Sequence, residues 1–406
     1  MLKCPCLGRL GLVVAFAAAS LGCASDPPPA EPDAAVAVAD GAGVASDGAA
    51  ASNDRPRPEA GVVDLAGQEA FIGDPTAPPG SPVSIHGQLW VDGTMLKDGA
   101  GNLVQLKGVS SMWLNWESRA FAESRNALAY MRDHWRLSVI RASMGTEAQK
   151  GYLTGDGNKA AMLAKVEAVI ANAIALGVYV LVDWHTEKAV DQQADSIAFF
   201  SELAQKYGSY PNVIWEPYNE PKGYTWAQIK PYHEAVVNAI RAVDADNVIV
   251  MGTPNWSQDV DVASLDPVSP TRGDRNLMYT LHFYACTHKQ KYRDKANIAI
   301  ANGLALFVTE FGATPSDGGV VANNDNYVCR AETDTWFDWM SLNNISGVSW
   351  KLDQCSDTSC ILTSNAPVDG PWTDNYLSTD VNNAAVSTGI TQGGGHGLYI
   401  VSWIRE

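Results

Sequence analysis

The chain has 406 residues, 46% of them hydrophobic, enough to fill one large core or two small ones. Its formal net charge of −17, with no cluster of lysine or arginine, argues against nucleic acid and against an anionic membrane surface as partners. A neutral polymer is compatible with that balance.

The chain begins with an export signal: Lys3 and Arg9 supply positive charge, and Leu10 to Ala19 form an apolar stretch too short to span a bilayer. Ser20-Leu21-Gly22-Cys23 is similar to a bacterial lipobox, in which the cysteine is lipidated, although the usual leucine three positions earlier is missing. Residues 1–23 are therefore read as a signal peptide of ordinary or lipoprotein type. Residues 24–80 shift to Ala, Asp, Pro and Gly with almost no aromatic side chains, the composition of a disordered linker. The protein is expected to be a monomer, secreted or on the outer cell surface, and to touch a membrane only through a lipid on Cys23.

Gly87 to Gly101 reads as a hairpin that closes a barrel bottom. Eight β-branched runs follow: Leu103 to Val109, Leu137 to Ala142, Val178 to Trp184, Val213 to Tyr218, Val248 to Gly252, Leu277 to Phe283, Leu306 to Thr309 and Gly347 to Leu352. The stretches between them, such as Ala160 to Leu176 and Tyr232 to Ala242, place apolar residues three and four apart, as helices covering a parallel sheet do. Eight such units over about 250 residues or more predict a (β/α)8 TIM barrel, here spanning residues 81–392, with no second folded domain. Residues 393–406, Gly-rich and then apolar, are left unassigned.

Two of these strands end in the same way. Val213-Ile214-Trp215-Glu216-Pro217-Tyr218-Asn219-Glu220-Pro221 and Leu304-Ala305-Leu306-Phe307-Val308-Thr309-Glu310-Phe311-Gly312 each carry a glutamate out of an apolar run. A pair of carboxyls, one protonated and one ionised, is what cleavage of a glycosidic bond requires. Further polar residues fall at the C-terminal ends of other strands, where a barrel of this kind places its chemistry: Arg141 on the second, His185 on the third, His282 and Tyr284 on the sixth and Trp350 on the eighth.

From about Gly87 to about Ile390 the chain resembles glycoside hydrolase family 5, the retaining cellulase and mannanase family. The resemblance implies that Glu220, in Asn219-Glu220-Pro221, is the acid/base and that Glu310, in Thr309-Glu310-Phe311-Gly312, is the nucleophile. Arg141 and Tyr284 then hold the nucleophile ionised, Asn219 meets the sugar 2-hydroxyl, His185 and His282 bind substrate or position Glu220, and Trp350 and Trp256 are sugar platforms. No cofactor or metal is needed. The implied activity is a retaining endo-β-1,4-glucanase acting on a β-glucan; a β-mannanase or other β-glycanase on the same scaffold is the alternative. From other classes come a carbohydrate-binding protein on an inactive barrel and a metal-dependent hydrolase using Asp183, His185 and His282.

The chain departs from the family at two places. Met112 and Trp113 stand where the first loop usually has a His-Gly pair, and Cys355 stands at a site where many members have a lysine, with Lys351, Asp353 and Asp357 as possible substitutes. Cys286, Cys329, Cys355 and Cys360 form an even set suited to two disulfides; three pairings exist, and the short loop between Cys355 and Cys360 favours that pair, leaving Cys286 with Cys329. Zinc is the alternative for these cysteines, without a histidine to complete its ligands.

Overall fold

A computed structural model describes residues 77–273, 275–319, 327–355, 357–379 and 395–406. The expected export signal, Cys23 and the expected linker as far as residue 76 lie outside the described residues. At residues 81–86 the Ser81 side chain accepts from the Ser84 N–H and caps the short helix α1 (Pro82–His86), whose proline sits where no N–H is needed. Strands β1 (Trp90–Asp92) and β2 (Met95–Lys97) pair antiparallel around Gly93, whose φ of 60° suits a residue without Cβ. This is the expected hairpin. Its flanking Leu89 and its Leu96 pack with Val139, Leu181, Ile214 and Phe307, so it plugs the N-terminal end of the barrel.

Eight strands follow: β3 (Lys107–Ser111), β4 (Val139–Gly145), β5 (Tyr179–His185), β6 (Val213–Glu216), β7 (Ile249–Met251), β8 (Leu277–Tyr284), β9 (Leu306–Gly312) and β10 (Gly347–Leu352). All neighbours are parallel, and β10 returns to β3 to close the barrel, as expected. The first strand starts later than Leu103 because that residue bridges to Lys97 and the Val104 N–H donates to the Leu96 carbonyl at 2.9 Å, extending the hairpin instead. The fourth ends at Glu216, before Pro217, which has no N–H for the ladder.

Helices cover the outside: α2 (Arg125–Tyr130), α3 (Asp156–Leu176), α4 (Gln193–Tyr207), α5 (Trp226–Arg241), α7 (Val260–Ser264), α8 (Gln290–Ala301) and α9 (Arg330–Leu342), while α6 (Pro254–Ser257) is a single turn in the loop after β7 whose Asn255 and Trp256 leave helical geometry. In α3 the buried Met162, Val166, Val169, Ile170 and Ala173 follow the predicted spacing, and Gly177 ends the helix with φ 66°. Helix α5 starts before the expected Tyr232, since Thr225 and Gln228 form a capping box and Pro231 is accommodated inside the helix. The unassigned C-terminal stretch contributes α10 (Gly397–Arg405), which buries Ile400, Val401, Trp403 and Ile404. Trp403 stacks on Phe337 of α9, and the Trp403 carbonyl accepts from Lys107 Nζ at 3.1 Å, so α10 seals the seam between the last and first strands.

Candidate active site

Alternation along the strands divides the barrel interior. Val139, Tyr179, Leu181, Ile214, Val250, Met278, Phe307 and Val348 belong to the apolar lower cluster. Two, four or six residues further along the same strands, the inward positions become Arg141, Asp183, His185, Glu216, Thr280, His282 and Tyr284. Strand β9 adds a bulge: Thr280 pairs with Phe307, but His282 pairs with Glu310, so β9 carries one extra residue in that interval. The bulge lets two consecutive side chains, Thr309 and Glu310, both reach the site.

Arg141 is fully buried and lies at the centre. Its Nε donates to Glu216 Oε2 at 2.7 Å, one terminal nitrogen to Glu310 Oε2 at 2.8 Å and the other to Asn219 Oδ1 at 2.6 Å. Asp183 Oδ2 lies 3.0 Å from that last nitrogen. These carboxylates raise the proton affinity of the guanidinium against the burial that opposes its charge.

Glu310 also accepts from the Tyr284 hydroxyl at 2.7 Å. Burial pushes its pKa up, but the Arg141 guanidinium and the Tyr284 hydroxyl bring it below the ordinary carboxyl range. It is the ionised member of the pair. Glu220 is the opposite case: burial, then the Glu310 charge, push its pKa well above the ordinary carboxyl range. An oxygen of Glu220 lies within 4.8 Å of an oxygen of Glu310. Inverting enzymes hold their carboxyls about 6.5–9.5 Å apart to fit a water, so this closer pair suits direct attack by one carboxylate.

A one-way hydrogen-bond chain holds the proton on Glu220. Thr309 Oγ1 donates to Glu216 Oε1 at 2.6 Å and therefore accepts from His282 Nε2–H at 2.9 Å. That tautomer, assigned from the network, leaves His282 Nδ1 to accept from the Glu220 carboxyl at 2.9 Å. Burial keeps His282 neutral by lowering its pKa. In the Asp183, His185 and His282 alternative, Asp183 Oδ2 is engaged by Arg141 and His185. His185 Nδ1 in turn lies 2.5 Å from Asp183 Oδ2, and burial lowers its pKa to about 3.

The remaining sequence-predicted residues surround this core. Asn219 gives its Oδ1 to Arg141, which leaves Nδ2 without an acceptor among the described residues and so available to a sugar hydroxyl. Trp350 stacks on His185 with centroids 5.5 Å apart, and His185 meets the edge of Trp113, which is stacked on Trp116 at 4.7 Å. Trp256 lies in the loop after β7, where its N–H donates to the Pro221 carbonyl at 3.0 Å. Cys286 pairs with Cys329 and Cys355 with Cys360, at Cα separations of 5.3 and 5.8 Å. Lys351 pairs with Asp357 at 2.8 Å, while Asp353 accepts from Ser118, so the loop after β10 is tied to the loop after β3.

Sequence reasoning gave no role to Glu216 or Thr309 and raised Asp183 only as a metal ligand. Burial raises the pKa of both Asp183 and Glu216 to about 7, against the pull of Arg141. Their only signal in the sequence is an acid inside an apolar run, in Leu181-Val182-Asp183-Trp184 and Val213-Ile214-Trp215-Glu216.

Residues 97–356 match the family profile described as Cellulase (glycosyl hydrolase family 5). Endoglucanase Z of Dickeya dadantii is 44% identical over 276 residues, covering 67% of this chain and 60% of that relative. An endoglucanase of Clostridium saccharobutylicum is 41% identical over 303 residues, covering 73% of this chain and 64% of the relative. The chain thus spans less than two thirds of the length of these relatives. Among solved structures, the catalytic domain of a Thermobifida fusca endoglucanase is similar at 29% identity and a TM-score of 0.69, over 80% of this chain and 100% of that one. A variant of that domain was solved in complex with cellotetraose; it is 28% identical to this chain, with a TM-score of 0.68 and the same coverage. With the carboxyl pair at the strand ends and a profile that covers most of the barrel, the chain belongs to glycosyl hydrolase family 5.

Proposed function

We propose that the protein is a retaining endo-β-1,4-glucanase that cleaves internal bonds of cellulose or soluble β-glucans. The observation that carries this reading is the short separation of a protonated Glu220 from an ionised Glu310. Glu220 gives its proton to the leaving oxygen while Glu310 attacks the anomeric carbon. Water then enters as Glu220 takes a proton from it, and the glycosyl–Glu310 bond breaks. Arg141 and Tyr284 keep Glu310 ionised and aimed. Asn219 Nδ2 donates to the sugar 2-hydroxyl, and the indoles of Trp350 and Trp256 receive pyranose rings. The relatives named endoglucanase support glucan over mannan as the polymer.

We also propose that the protein is a monomer outside the cytoplasm, either secreted or held by a lipid on Cys23. The positive, then apolar, N-terminal segment and the two cysteine pairs support that location.

Reducing-end release from carboxymethylcellulose, barley β-glucan, glucomannan and mannan tests the reading, with wild type beside Glu220→Gln and chelator present. Release from the glucans that disappears in the variant is expected. Release from mannan alone would move the assignment to a mannanase. Binding of polymer without any release would make the protein a lectin-like barrel.

A further inference from the structure

Trp256 follows β7, beside β6 and the acid Glu220, whereas Trp350 lies on β10, beside β9 and the nucleophile Glu310. Trp256 is thus on the arc of the rim next to the acid, the group that hands its proton to the leaving sugar, and Trp350 on the arc next to the nucleophile. Asn255, Trp256 and Ser257 have φ values of 57°, 56° and 57°, a run that non-glycine residues adopt only when their surroundings hold them there.

Part of that hold is backbone: Trp256 N–H to the Pro221 carbonyl, and Ser257 Oγ to the Asn219 carbonyl at 2.8 Å. The rest is a ring of three side chains. Trp256 Nε1–H donates to Glu187 Oε1 at 3.1 Å, Glu187 Oε2 lies 3.4 Å from Lys222 Nζ, and Lys222 Nζ stands 4.9 Å from the Trp256 ring centroid. The Lys222 N–H also donates to the Glu187 carbonyl at 3.3 Å. The Lys222 and Glu187 side chains are 36% and 34% exposed, so the ring is at the cleft surface and is not needed to fill the core.

We propose that Glu187 and Lys222 are positioning residues for the leaving group: they lock the Trp256 indole as the platform for the departing sugar and set a compensated charge pair beside Glu220. The proposal rests on the glucanase reading above. Lys222 Nζ covers one face of the indole, and a neutral hexopyranose stacked on the other would meet the Glu187 acceptor at the ring edge beside Nε1, which suits its equatorial hydroxyls. The groups acting on Glu220 are Glu310 from β9, Arg141 from β4, His185 from β5, His282 and Tyr284 from β8 and Glu187 from the loop after β5. Of these, only Glu187 has its charge balanced by a surface partner. Without Lys222 the bare Glu187 carboxylate strengthens the hold of Glu220 on its proton; without Glu187 that hold weakens.

Glu187→Gln, Lys222→Met and the double variant are compared with wild type on cellopentaose and on 2,4-dinitrophenyl β-cellobioside. The second substrate has a leaving group that needs no proton and puts no sugar on Trp256. Each single variant is expected to lower kcat/KM for cellopentaose about threefold to fivefold more than for the aryl glycoside. The double variant should be no worse than the poorer single one, because the residues act as a unit. On cellopentaose the alkaline limb of kcat/KM should move down in pH for Glu187→Gln and up for Lys222→Met. Equal losses on both substrates, or limbs that do not move in opposite directions, would overturn the proposal. A wild type that cleaves neither substrate would overturn the glucanase reading and this inference with it.

Discussion

Below Arg141 the barrel is filled by Val139, Leu181, Ile214, Phe307 and the hairpin's Leu96; above it, the same strands point Asp183, His185, Glu216, His282 and Glu310 inward. Both halves are buried and both follow the two-residue alternation of a strand. They differ in what burial does. In the lower half, removing surface from water is the stabilising term. In the upper half the same removal opposes every charge, and one guanidinium offsets it for three carboxylates. The lower half makes the barrel stable, and that stability permits the strained charge distribution above it.

The sharpest test of this division is Glu310→Gly, which should lower hydrolysis on the order of 10⁵-fold while thermal unfolding stays close to wild type. Azide should restore part of the activity, with inversion at the anomeric carbon read by NMR; without rescue, the nucleophile role would lose its support. Glu220→Gln comes next, with a loss of about 10² to 10⁴-fold on polymer. In the wild type, kcat/KM should rise with the ionisation of Glu310, held low by Arg141 and Tyr284, and fall where Glu220 gives up its raised proton, the two limbs belonging to the pair. A profile with no alkaline fall up to about pH 9 would contradict the role of Glu220 as the acid.

In the lower half, Phe307→Ala should cost about 3 to 5 kcal/mol of stability in denaturant titrations and leave the pH profile in place. A shifted profile would mean that the halves are not separable. A smaller effect is expected of Glu216→Gln. Glu216 has a folded pKa raised to about 7 from 4.5, so it favours the folded state below about pH 4 and loses that contribution as pH rises to about 7. The variant should flatten the fall in Tm between pH 5 and pH 8, by up to about 3 kcal/mol of stability. An unchanged slope would show that Glu216 is ionised throughout.

The two halves were also unequally legible in the sequence. The apolar runs and the strand-end residues Arg141, His185, Glu220, His282, Glu310 and Trp350 could be read because each sits where a strand's pattern breaks, and the family resemblance added their roles. Glu216 and Asp183 were hard to read because a single acid inside an apolar run looks the same whether it meets a guanidinium or ends a strand. What identifies them is Arg141, whose own strand lies 42 and 75 positions away in sequence. The bulge that brings Thr309 into line with Glu216 and His282 leaves no mark on composition. Helix α10 escaped because a glycine-rich start hides nine residues whose partners, Phe337 and Lys107, come from α9 and β3.

That last helix has a consequence for how the molecule is made. Strand β10 pairs with β3, and Trp403 and Arg405 reach back to Lys107 and Arg136, so the earliest strand of the barrel waits for residues synthesised almost three hundred positions later. Until β10 forms, β3 and β9 each keep one edge unpaired. The seam sealed by α10 thus makes closure of the barrel a late, long-range event, in which one of the last elements locks the first strand in place.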